Sequence, residues 1–132
     1  MRLFTSRYQN KALADRADLV KVGITQGDPR FRLGYDLAAN LRALAPPRSI
    51  WGLDQETFRT RYTASLDEIG VDGVRSMLER AGGGADVVLL CFEDLNEPGK
   101  FCHRRVFAEW WEEKTGEAVP ELEAVRAQIG LL

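Results

Sequence analysis

The chain has 132 residues, of which 45% are hydrophobic and 29% charged, and its net charge is −2. This length suits one hydrophobic core that needs no metal or disulfide to complete it. No stretch approaches the roughly 18 uninterrupted apolar residues of a membrane span, so no membrane partner is expected; the dispersed basic residues speak against a general nucleic-acid coat and leave a local pocket for a nucleic-acid phosphate open.

The opening "MRLFTSRYQN" carries no apolar run of signal-peptide length, so a cytoplasmic location is expected, with both cysteines as reduced thiols. Residues 2 to 6, "RLFTS", form the first expected strand, and "LVKVGIT" at 19 to 25 the second, with a short helix over "YQNKALADRAD" between them. Alternation of this kind predicts a parallel sheet. After the Gly- and Pro-punctuated "TQGDPRFRLG", Leu37, Leu41 and Leu44 stand at helical spacing before the prolines at 46 and 47. Asp54 then reads as the N-cap of an amphipathic helix with Phe58, Tyr62, Leu66 and Ile69 on one stripe. A further helix over Val71 to Ala81 ends at "GGG".

The run "DVVLLCF" at 86 to 92 is apolar throughout, as in a strand covered on both faces. The last main helix is expected to begin near "PGKFC", with Pro98 in its first turn, to bury Val106, Phe107, Trp110 and Trp111, and to stop near Gly116. The tail "VPELEAVRAQIGLL" reads as a short helix turning Leu122, Val125 and Ile129 inward. Together these elements predict a single α/β domain over residues 1 to 132: a small, mainly parallel three-layer α/β/α sheet with helices on both faces.

Ligands in such folds bind beyond the carboxyl ends of the strands. There the stretch "CFEDLNEPGKFCHRRVFAEWW" at 91 to 111 concentrates Cys91, Glu93, Cys102, the sole histidine His103, and Arg104 and Arg105. A helix start favours phosphate or carboxylate, arginine adds paired hydrogen bonds, and a positive field beside a histidine raises the thiolate fraction of a cysteine. Cys102 is the candidate nucleophile, His103 the acid or base, and Arg104 rather than Arg105 the anion ligand. The plainer reading is that Cys91, Cys102 and His103 are packed core residues. Cys91, Cys102, His103 and Glu93 also meet the inventory of a zinc site, but the adjacency of Cys102 and His103 and the nearby arginines speak against it, so no metal is expected. Direct pairing of the cysteines needs Cα atoms within about 7 Å. The phosphate-loop motif GxxxxGK, the GxGxxG fingerprint and the cysteine-centred loop of rhodaneses and phosphatases are absent.

The segment "LLCFEDLNEPGKFCHRRVFAEWW" resembles the C-terminal signature of the DUF488 proteins, and "TSRYQN", "GITQGDPRF" and "TGEAVPEL" are similar to that family's first turn, second-strand loop and closing segment. The resemblance implies an α/β fold with a site formed by Cys91, Glu93, Cys102, His103 and Arg104, joined by Thr5, Ser6, Tyr8 and Asn10 from the first loop and Gln26 and Arg30 from the second. It implies no activity or cofactor. The expected function is binding of a phosphorylated or anionic small molecule or a nucleotide, with catalysis open. A non-catalytic interaction module and a thiol-redox or metal-binding protein are the alternatives.

Overall fold

The computed structural model describes residues 1–93 and 102–122. Four parallel strands, β1 (Leu3–Arg7), β2 (Leu19–Gly23), β3 (Ala39–Asn40) and β4 (Asp86–Cys91), form one sheet in the order β1-β4-β2-β3. β4 is the centre: Thr5 lies beside Leu89 on one flank and Val22 beside Leu89 on the other. Its residues Val87 to Cys91 are fully buried, so the uninterrupted apolar run is what both covered faces demand. Each such side chain contributes about 1.5–3 kcal/mol of transfer free energy.

Side-chain alternation divides the core. Val87 and Leu89 face a large cluster with Leu3, Val22 and the long helices; Val88 and Leu90 face a smaller one with Tyr8, Leu13 and Leu19. The large cluster is built on α1 (Gln55–Gly82) and α2 (His103–Thr115). Asp54 caps α1 by accepting from the Thr57 amide, as the sequence predicts. Gly70 interrupts α1 with φ 81°, a conformation that favours glycine, so the two expected helices run on from each other across a kink. Phe58, Tyr62, Leu66, Val74 and Leu78 form the buried stripe. Among the described residues, the second face is covered by a 3-10 turn (Lys11–Asp15) and by Leu33, Tyr35, Leu37 and Leu122.

The helix expected over residues 35 to 45 is not formed. That segment holds the short edge strand β3 and a 3-10 turn (Arg42–Leu44). Its leucines do reach the interior, but Asn40 decides the backbone: the amide nitrogen of its side chain donates to Asp28, while its Oδ1 accepts from the Thr25 amide. These bonds tie the segment to the end of β2 and favour extended pairing over a free-standing helix.

α2 starts at His103, with Cys102 at its N-cap and Gly116 at its C-cap, while Pro98 lies outside the described residues. Beyond α2, the chain returns to the free edge of β1, where the Thr5 amide donates to the Pro120 carbonyl and the Leu122 amide to the Thr5 carbonyl. Of the inward residues expected in the tail, Leu122 packs on the smaller cluster; Val125 and Ile129 lie outside the described residues. Among the described residues no helix is long and apolar enough to cross a membrane.

Candidate functional site

The carboxyl ends of β2 and β4 meet the start of α2, and there Cys91, Glu93, Cys102 and His103 converge. One ligating atom from each lies within 4.8 Å of the others. Cys91 is delivered by the central strand, Glu93 by the two residues that follow it, and Cys102 and His103 by the first positions of α2. The sequence separation of 11 between the cysteines is closed by that strand-to-helix return.

The sulfur atoms of Cys91 and Cys102 are joined. The reduced thiols expected from the sequence, with Cys102 as a free nucleophile, are therefore not what the structure contains. The Cα atoms stand 7.5 Å apart, wider than the separation of about 4.4–6.8 Å usual for a disulfide and wider than the 7 Å bound set from the sequence. Glu93 Oε2 lies 3.2 Å from the Cys102 sulfur.

His103 is 8% exposed and its Nε2 is 2.6 Å from the Ile24 carbonyl oxygen. A carbonyl only accepts, so Nε2 carries the hydrogen and Nδ1 the lone pair. Burial pushes the imidazole down to about 4; the Ile24 hydrogen bond opposes this and the Arg104 charge assists it. The ring is therefore neutral at pH 7. It packs edge-on against Tyr62, whose hydroxyl donates to the Leu44 carbonyl at 2.6 Å.

Arg104, the next residue, serves a different purpose from the anion ligand expected of it. Its guanidinium is fully buried. Nε and Nη2 donate to the Glu121 carboxylate at 3.0 and 2.9 Å, while Nη1 donates to the Cys91 sulfur at 3.0 Å and to the Glu93 carbonyl at 2.8 Å. With each nitrogen engaged, an external phosphate would have to displace Glu121. Arg105, set aside in the sequence reading, donates to Thr5 Oγ1 at 2.8 Å and to the Val119 carbonyl at 3.0 Å, and Thr5 in turn donates to Glu121 at 2.7 Å. Thr5 thus belongs to a closed ionic knot under the sheet edge.

A cavity of about 390 Å³ opens beside the cysteine cluster, lined by Thr25, Gln26, Pro46, Trp51, Leu53, Phe58, Phe92, Glu93 and His103 among others. Trp51 and Phe92 are 51% and 41% exposed, unusual for such large rings, and both stand at its wall. Of the second-loop candidates, Gln26 lines this cavity, where it donates to the Pro46 carbonyl, and Arg30 is exposed on the loop outside it. Tyr8 lies behind Phe92, with ring centroids 4.8 Å apart, and shares a 2.7 Å hydrogen bond with Thr25. Ser6 and Asn10 pair with each other at 3.0 Å, and Asn10 caps the 3-10 turn by accepting from the Ala12 amide, so neither faces the cavity.

The expected constellation therefore separates into a reactive cluster, a buried ionic knot and a pocket wall. Thr25, Trp51, Phe58 and Glu121 were missed. Trp51, following two prolines in a loop, carried a usable signal as an aromatic where turn residues are expected; Glu121 is one carboxylate in an acid-rich tail and carried none. Searches of family models, curated proteins and solved structures find no match to this chain.

Proposed function

We propose that this protein binds a small molecule with a flat, apolar body in the cavity beyond β2 and β4, and presents its polar end to Glu93 and His103. The observation that carries this is shared membership: Glu93 and His103 belong both to the cavity wall and to the Cys91–Glu93–Cys102–His103 cluster. A pocket that is mainly apolar with a few convergent polar groups is the usual form of a ligand site. Among the anionic ligands and nucleotides expected from the sequence, those with an aromatic base suit this lining, the base lying against Trp51 and Phe92. A bare phosphate meets the Glu93 carboxylate and finds the Arg104 donors engaged. The likeness of residues 89 to 111 to the DUF488 signature supports the same location and adds no reaction.

A thermal-shift series with nucleosides, nucleotides, phosphosugars and sulfate tests the reading, since a ligand that binds only the folded chain raises its melting temperature. Purine or pyrimidine compounds should stabilise the protein and quench the fluorescence that Trp51→Phe removes. Stabilisation by sulfate or phosphosugars alone would overturn it. A second reading, thiol–disulfide exchange, rests on the direct contact of the two sulfurs; it expects dithiol reduction to be reversible and to leave the fold intact.

A further inference from the structure

We infer that Cys91, Glu93, Cys102 and His103 form a site for a thiophilic divalent cation, of which zinc is the representative, at the inner end of the cavity. The site stands on the cluster alone and does not depend on which organic molecule fills the cavity. Two sulfurs, a carboxylate and an imidazole are a common zinc donor set, and bonds of about 2.0–2.3 Å place tetrahedral donors roughly 3.3–3.8 Å apart. The four donor atoms lie within 4.8 Å of one another, and once the bond between the two sulfurs is reduced, side-chain rotation can bring all four around one ion.

Three further observations point the same way. A sulfur joined to another sulfur has no hydrogen, yet Glu93 Oε2 approaches the Cys102 sulfur to 3.2 Å. In the reduced chain that spacing suits a thiol proton or a shared metal ion between the two atoms. Second, the Cα separation of 7.5 Å exceeds the ordinary disulfide span, whereas two thiolates that share an ion stand farther apart than two bonded sulfurs. Third, His103 donates Nε2–H to the Ile24 carbonyl, which fixes the tautomer with its lone pair on Nδ1. A metal-bound histidine is held in this way, with its second nitrogen on a backbone carbonyl.

Arg104 does not oppose the ion. Its charge is answered by Glu121, and its Nη1 donates to the Cys91 sulfur at 3.0 Å, an outer-shell bond that offsets the surplus negative charge of two thiolates and a carboxylate. Uptake from the dithiol form makes two zinc–sulfur bonds and releases two protons. From the joined form it first requires two electrons and two protons, supplied by a dithiol reductant.

The test uses the full chain, reduced with a dithiol, desalted without oxygen and titrated with zinc or cobalt(II). We expect one zinc per chain, protection of both cysteines from alkylation, and a cobalt adduct with sulfur-to-metal charge-transfer bands and the intense visible bands of tetrahedral coordination. Cys91→Ser and Cys102→Ser should weaken binding at least about 100-fold, and Glu93→Gln about 10- to 100-fold with the charge-transfer bands retained. The alkylation readout needs no variant, so a misfolded mutant cannot obscure the answer. Equal alkylation of the reduced chain with and without zinc would overturn the site, as would a cobalt spectrum without sulfur bands. Because no organic ligand enters the assay, failure here leaves the cavity reading standing, and failure of the cavity reading leaves this one.

Discussion

His103 and Arg104 are neighbours at the start of α2, and they do opposite things. The imidazole belongs to a cavity wall and keeps a lone pair available; the guanidinium is sealed among Glu121, Cys91 and Glu93. A single step along the helix separates a residue of the cavity wall from one buried in the ionic knot, because successive helical side chains diverge by about 100°. The difference teaches that a basic pair beside a histidine is no guide to an anion site until its carboxylate partners are known.

The comparison is broken most directly at Arg104. Arg104→Met leaves the half-buried Glu121 with only the Thr5 hydroxyl and the more distant Arg105 beside it and should cost about 3 kcal/mol in urea unfolding, whereas adding Glu121→Leu should recover most of the loss. If the double variant is no better than the single, the ion pair is not what Arg104 provides. His103→Ala should cost less, about 1–3 kcal/mol, for the lost Ile24 hydrogen bond and packing, while removing ligand or metal binding. A loss equal to that of Arg104→Met would erase the distinction.

Gly23 lies where the two regions meet at the end of β2. A methyl there strikes the Tyr8 hydroxyl and comes within 2.7 Å of the Asn40 side-chain oxygen, so Gly23→Ala should destabilise by about 1–3 kcal/mol and disturb the Thr25 wall. Alkaline unfolding gives a gentler test. Burial holds the Tyr62 phenol well above its ordinary range, and Tyr35 and Tyr8 are raised in the same direction by burial. The unfolded chain therefore ionises first, and stability present below pH about 10 should fall as pH rises beyond it. Tyr62→Phe should flatten that decline; an unchanged slope would place the titration elsewhere. The smallest effect is expected at the surface, where Glu117→Gln removes the 3.0 Å pair with Arg75 and should change stability by no more than about 1 kcal/mol.

Much of the fold was legible. Val87 to Leu90 form an apolar run because β4 is covered on both faces, and Asp54 announced α1 through the Thr57 amide. The helix expected near residue 40 failed because Leu37, Leu41 and Leu44 repeat at helical spacing by coincidence, while Asn40 binds across to Thr25 and Asp28. The location of the cysteine–histidine cluster could be read because one stretch supplies all of its donors. Its partition from Arg104 could not, since that depends on Glu121 returning along β1 to meet the guanidinium.

The position of β4 between β1 and β2 also governs the order in which the molecule can be completed. On a ribosome the two flanking strands are made first and have no ladder to share, because every bond joining them runs through residues 86–91. The sheet must wait for that insertion, a long-range closure that slows folding. The same step brings Cys91 to its place, so in a nascent chain Cys91 and Cys102 cannot meet until the architecture is nearly shut.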